Sequence, residues 1–372
     1  MKRPVWLIAA LLAFAIWRPL SGESVAQSAG HGQATSDSKA NPWTFAVSGD
    51  SRNCGDVVMP AIAAGVAQKG ASFYWHLGDF RKTTDFDEDM QRQPEHLAKP
   101  LSISEYEELA WDDFIQSQIV PFGSLPVYLA IGNHETAWPK TREQFIIQFA
   151  DWLDVPSLRS QRLLDDPRDR QLRTYYHWIE NGVDFITLDN ATRDQFDSSQ
   201  LKWFEKVLAS DSTNPKIRTI VAGMHEALPE SISKSHSMNE SPAGTESGRR
   251  VYVDLLKTRD EAHKHVYVLA SHSHYFMDGI FNTRYWRANG GVLPGWIIGT
   301  AGAQRYALPK ESADARTAET NVYGFLLGRV SPDGEIEFSF QHLTESDVPA
   351  SVVGRYTAQF VHWCFAENSI AH

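Results

Sequence analysis

Five short apolar runs in this chain each break off at a small polar block, and that repeated ending constrains the fold more than any other feature. The runs are 43–47, 73–77, 127–131, 217–222 and 266–270. They give way to Gly49-Asp50-Ser51-Arg52, Gly78-Asp79, Gly132-Asn133-His134-Glu135, Gly223-Met224-His225 and Ser271-His272-Ser273-His274. β-Branched and aromatic runs of this length read as buried strands. Helical patterns fall between them: Val58, Ile62 and Val66 at i, i+4 and i+8, then 105–119, 142–153 and 200–208. Strand and helix alternate, as in α/β layers. In such sheets sites gather beyond the carboxyl ends of the strands, so blocks far apart in sequence converge there.

Toward the C-terminus, 296–298, 322–330 and 335–343 read as strands, the last two joined across Ser331-Pro332-Asp333-Gly334, a hairpin-type turn. Late antiparallel strands point to a mixed sheet. No repeat of 20 to 50 residues is visible, which sets solenoids and propellers aside. No G-x-G-x-x-G follows a strand, which argues against a Rossmann dehydrogenase. Two polar segments, 83–100 and 229–248, lack clear periodicity and read as loops beside strand ends.

Singly, the polar blocks say little. Gly-Asp commonly marks a turn or a helix N-cap, and a lone His225 is commonly a hydrogen-bonded buried histidine. His272 and His274, at i and i+2 on an extended segment, face the same side and can approach neighbouring ions. Together the blocks offer carboxylate, amide oxygen and imidazole, a donor set that suits Mn, Fe or Zn. With only two cysteines, Cys54 and Cys364, a four-thiolate zinc site is excluded. The formal net charge of −11 makes the chain a poor general nucleic-acid binder. A phosphorylated small molecule stays compatible with that charge, because bound cations dominate the local field of a site.

In this order the blocks resemble the calcineurin-like metallophosphoesterase family, whose pattern is D-x-H, GD, GNH, an isolated His and H-x-H. The likeness spans about 43–274, most of the chain after its N-terminal segment. It implies a four-layer αββα sandwich of two mixed sheets with flanking helices, and two divalent or trivalent metal ions (Mn, Fe or Zn) at one sheet edge. By motif, Asp79 bridges the ions, Asp50 and His274 complete the first site, and Asn133, His225 and His272 complete the second. His134 then lies beside the leaving oxygen of the substrate, with Asn133 close by. Two cations about 3.5–4 Å apart acidify a shared water and clamp the attacking and leaving oxygens of an in-line displacement. His134 as a proton donor contributes about 10²–10⁴-fold; as a ligand-orienting residue it would act through the metal instead.

Two positions depart from the pattern. Arg52 stands where the family has the His of D-x-H, and a permanently cationic guanidinium cannot ligate a metal. It suits bidentate contact with phosphate oxygens, which makes Arg52 a substrate-binding candidate; a surface salt bridge is the alternative. After Asp79 the chain reads Phe80-Arg81-Lys82. That fits neither the protein phosphatases of the family nor the purple acid phosphatases, which have a metal-binding Tyr at the position of Lys82. Asp85 is a candidate for orienting His134.

Lys2 and Arg3 precede an uncharged run over 5–17, and Ser24-Val25-Ala26 follows with small residues, the pattern of a secretory signal peptide. That run is short of the roughly 20 residues that span a bilayer. Membrane attachment enters only if the segment stays uncleaved. The organisation expected is a signal peptide over 1–26, a flexible lead-in over 27–42 and a catalytic domain over 43–345. A tail over 346–372 then packs on the domain or is partly disordered. An exported, secreted or periplasmic location would permit Cys54 and Cys364 to pair, and the sequence leaves the pairing open. The function expected is hydrolysis of small-molecule phosphate monoesters or diesters by attack of a metal-activated hydroxide. The alternative is a protein that binds phosphoryl ligands through metal and turns over little.

Overall fold

Side-chain alternation along the strands decides which layer each residue joins. The computed structural model describes residues 41–191 and 195–370. The signal-peptide reading falls outside them. The strands are β1 Trp43–Ser48, β2 Tyr74–His76, β3 Val127–Leu129, β4 Tyr176–Glu180, β5 Val183–Thr187, β6 Thr219–Gly223, β7 His265–Ala270, β8 Phe276–Asp278, β9 Gly295–Ile298, β10 Thr317–Glu319, β11 Tyr323–Val330 and β12 Ile336–Leu343. They form a five-stranded sheet in the order β12-β11-β1-β2-β3 and a seven-stranded sheet in the order β10-β8-β9-β7-β6-β5-β4. Both are mixed: β1, β2 and β3 run parallel, as do β5, β6, β7 and β9, while the outer strands pair antiparallel.

Phe45, Val47 and Trp75 of the first sheet pack against Trp178, Phe185, Val221 and Leu269 of the second, making the inner layer of the sandwich. The intervening residues Ala46, Tyr74 and Leu129 face outward onto Val58, Ile62 and Val66 of the helix Gly55–Gln68 and onto Phe114. Across the second sheet, Ile220, Ala222, Val266 and Val268 face Phe204 and Leu208 of the helix Ser198–Thr213, and Val251 and Leu255 of the helix Pro242–Glu261. The result is the four-layer αββα sandwich expected from the motifs. Gly223 ends β6 under Trp75: a Cβ there would lie 2.2 Å from the indole, so only glycine lets the two sheets approach at this point.

Several local expectations are corrected. Segment 229–248 is a loop only as far as Ser241, because Pro242–Glu261 is helical. Ser241 caps this helix, its Oγ accepting from Gly244 N at 2.9 Å, and Pro242 opens it. Gly244 and Gly248, poor helix formers, mask the periodicity. Segment 83–100 holds two short helices, Glu88–Gln91 and Pro94–Ala98. It folds inward because Asp87 and Asp89 surround the fully buried Arg81 together with Asp56 and Asp113. Beyond β12, the helices Ala350–Tyr356 and Ala358–Ala366 place Tyr356, Phe360, Val361 and Cys364 in the outer core of the first sheet. Cys364 is disulfide-bonded to Cys54, across a sequence separation of 310.

Candidate metal centre

The five polar blocks converge where the carboxyl ends of β1, β2 and β3 meet those of β6 and β7. Backbone hydrogen bonds stitch these ends together: Asp50 N donates to Gly78 O at 3.0 Å, Ser51 N to Asp79 O at 3.0 Å and Ser271 N to His225 O at 2.9 Å. Asp50 and Asp79 have φ of 60° and His272 of 63°, a left-handed backbone that costs a non-glycine residue about 1–3 kcal/mol and persists only where surroundings over-determine it. Such backbone gathers at functional sites. It also corrects one orientation: the chain turns at His272, so that residue does not ride on an extended segment, yet its side chain points into the centre.

His225 is the hub. Its Nδ1 lies 3.0 Å from the carbonyl oxygen of Leu77 and donates to it, which turns the Nε2 lone pair inward. Around Nε2 stand Asn133 Oδ1 at 2.9 Å, His272 Nδ1 at 3.0 Å and Asp79 Oδ1 at 3.3 Å. Even a protonated Nε2 has one hydrogen for these three neighbours. Donors at about 2.1 Å from one cation are spaced about 3.0–3.4 Å from one another, and the three distances from His225 Nε2 are of that size. Ligand atoms of Asp79, His225 and His272 all lie within 4.8 Å of one another, a group able to hold a metal ion. The donor set fits a divalent cation of the Mn, Fe or Zn type.

The electrostatics agree. Burial opposes a charge on His225, but the Asp79 and Asp50 carboxylates outweigh it and raise the imidazole to about 10. The same field favours any cation at Nε2. Asp79 is held well below the usual carboxylate range despite burial, by the charges of His225 and Arg52. Burial and the charge of His225 lower His272 to about 3, so it offers a bare nitrogen. Asp50, which burial alone would raise, is held at about 2 by His274 beside it. Asp50 Oδ2 also accepts from His272 N at 2.7 Å, positioning that residue.

Arg52 enters the other half of the centre. Its Nη2 is 2.8 Å from His274 Nε2, Nη1 is hydrogen-bonded to His134 Nε2, and Nε lies 3.6 Å from Asp79 Oδ2. The surface salt-bridge alternative is thereby set aside, since the side chain is only 11% exposed and faces the site. His274 Nε2 is 3.3 Å from Asp50 Oδ1. Burial lowers His134 to about 4, leaving it neutral.

Some residues at the centre had no assigned part in the sequence. Glu135 accepts from Asp79 N, Phe80 N and Gly132 N, each at 2.8 Å, and so ties the second and third blocks together. A carboxylate directly after His134, in a turn between buried runs, was the available signal. Tyr306 stacks on His274 at 3.9 Å, and Gln304 O accepts from His274 Nδ1 at 2.6 Å. These two come from the segment after β9, which carries no polar block. Asp85 does not orient His134: it pairs with Lys82 at 2.8 Å, while Thr83 Oγ1 donates to the His134 carbonyl at 2.7 Å.

A purple acid phosphatase isolated from yellow lupin (Lupinus luteus) seeds superposes with a TM-score of 0.56 at 16% identity, over 82% of this chain and 52% of the lupin chain. The chain thus spans about half the length of that protein, and the likeness is one of fold. PhoD (TM-score 0.46, 13% identity, 82% of this chain and 72% of the other) is a looser match. So is GAP50, the anchor in the inner membrane complex of Plasmodium (0.44, 10%, 89% and 97%). No curated protein matches in sequence. The model of the calcineurin-like phosphoesterase family matches residues 44–276, the stretch that carries all five blocks, and the chain belongs to that family.

Proposed function

We propose that this chain is an exported, metal-dependent phosphoesterase that hydrolyses phosphate monoesters or diesters of small molecules. The observation that carries the reading is the convergence of Asn133 Oδ1, His272 Nδ1 and Asp79 Oδ1 on His225 Nε2 at 2.9, 3.0 and 3.3 Å. Asp79, Asn133, His225 and His272 would hold the ion, and Asp50 and His274 stand beside it. A bound cation supplies Lewis acidity toward a phosphoryl oxygen and lowers the pKa of a water. Arg52 and His134 face the same space and bind the phosphoryl group, with His134 beside the leaving oxygen. The two-ion arrangement implied by the family motifs requires a second ion among Asp50, Asp79 and His274, where the Arg52 guanidinium lies.

Export is supported by the N-terminal sequence pattern and by the Cys54–Cys364 disulfide, which an oxidising compartment sustains. Among the described residues no helix is long and apolar enough to cross a membrane. The alternative of a binding protein with little turnover draws on Arg52, which replaces a family ligand. Purified protein stripped of metal and resupplied with Mn²⁺ separates the two readings. Metal-dependent release of p-nitrophenol from p-nitrophenyl phosphate or its bis ester is expected. Binding of inorganic phosphate without turnover of either ester would favour the binding protein.

A further inference from the structure

The position that the family motifs reserve for a first ion is filled by the protein itself. Asp79 divides its carboxylate: Oδ1 faces His225 Nε2 at 3.3 Å, and Oδ2 faces Arg52 Nε at 3.6 Å. His274 carries its hydrogen on Nδ1, donated to Gln304 O at 2.6 Å, so Nε2 has a single lone pair. That lone pair accepts from Arg52 Nη2 at 2.8 Å. A metal at this position needs the same lone pair and the same carboxylate oxygen. We propose that the centre is mononuclear, with one divalent ion at Asp79, Asn133, His225 and His272 and the Arg52 guanidinium serving as the second positive charge. This rests on the metal-dependent reading above.

The guanidinium cannot leave by losing its proton, because arginine stays charged at every pH a protein tolerates. Nor is its loop free to swing. Cys54 is disulfide-bonded to Cys364, Asn53 Nδ2 donates to Asn368 Oδ1 at 2.6 Å, and Asn53 N donates to Asp87 Oδ1 at 2.9 Å. The position is therefore built for a cation that the chain supplies. Nη1 and Nη2 each carry two hydrogens, and the imidazoles of His134 and His274 take one from each. The charge and the planar donors of the guanidinium suit it to phosphoryl oxygens. Substrate phosphate then lies between the ion and the guanidinium rather than between two ions.

The test counts ions. Chelator-stripped protein is loaded with Mn²⁺, passed over a desalting column, analysed for metal per chain and examined by electron paramagnetic resonance. One Mn²⁺ per chain with the six-line spectrum of an isolated ion is expected for the wild type. Arg52→His, which restores an imidazole and removes the charge, is expected to take up two ions with a spin-coupled spectrum. Arg52→Ala, where water completes the position, is expected to reach the same count at higher Mn²⁺. Two coupled ions in the wild type would overturn the proposal, as would folded Arg52 variants that stop at one. A wild type that binds no Mn²⁺ would overturn the metal-dependent reading itself.

Discussion

His134 is neutral because burial lowers it to about 4, and its Nε2 accepts from Arg52. Its one proton therefore sits on Nδ1, which is buried without a hydrogen-bond partner. Proton donation to a leaving oxygen from Nε2 requires the substrate to displace the Arg52 contact and the ring proton to pass from Nδ1 to Nε2. On that account His134→Ala keeps its metal but loses about 10²–10⁴-fold in kcat on alkyl esters, with a smaller loss on p-nitrophenyl esters. Steady-state kinetics over a series of leaving groups checks this, and equal losses across the series would assign His134 to positioning Arg52 instead. At this scale the sequence was informative: Asp50, Asp79, Asn133, His134, His225, His272 and His274 all stood in blocks at the ends of apolar runs, and all meet. What it could not display was direction. Arg52 reaches the centre through a turn with Asn53 at φ 72°, and nothing in the residue order specifies that turn.

Elements are where local pattern and tertiary context compete most openly. Segment 83–100 has no apolar face, yet Asp87 and Asp89 are fully buried because Arg81 collects them with Asp56 and Asp113. A polar stretch that folds inward to satisfy one cation looks, in sequence, like a surface loop. Removing that cation leaves four carboxylates, three of them buried, around an uncharged side chain. Arg81→Met is expected to destabilise the protein by about 3–5 kcal/mol, measured by urea denaturation. A loss below about 1 kcal/mol would mean that the acids protonate at little cost.

The β4–β5 hairpin was also missed, its Tyr-His-Trp-Ile-Glu alternation hidden behind the charged stretch over 166–173. Its His177 donates to Asp184 of β5 at 2.7 Å and to Asp165, at the end of the helix Pro156–Asp165, at 2.6 Å. Burial opposes the charge, but Asp184 and Asp165 raise His177 from 6.5 to about 10. Asp211 faces the same group, itself raised to about 9 by burial and Asp184. A folded-state pKa above the unfolded value stabilises most when the group is protonated in both states. The contribution of His177 is thus complete below pH 6.5 and fades as pH climbs toward 10. The melting temperature of His177→Gln should fall furthest below wild type near pH 6 and approach it by pH 9.5. A gap that stays constant with pH would count against a charged His177.

For the molecule as a whole, the α/β sandwich followed from strand and helix alternation together with the motif order, whereas the C-terminal attachment did not. Cys54 and Cys364 are 310 residues apart, and no periodicity links the helix Ala358–Ala366 to the loop that carries Arg52. The bond joins the last helix to the rim of the centre. Cys54→Ser with Cys364→Ser should cost about 2–5 kcal/mol of stability in urea. Unchanged stability would show that the packing of Tyr356, Phe360 and Val361 alone holds the C-terminal helices. On the proposed mechanism, one ion held through Asp79 serves hydrolysis of a phosphate ester. The most direct measurement determines metal content and bis(p-nitrophenyl) phosphate hydrolysis on the same samples of wild type and Asp79→Ala. The wild type should contain metal and release p-nitrophenol, and Asp79→Ala, correctly folded, should lack both; an Asp79→Ala protein that hydrolyses the ester at the wild-type rate without bound metal would show that hydrolysis does not depend on an ion held by Asp79.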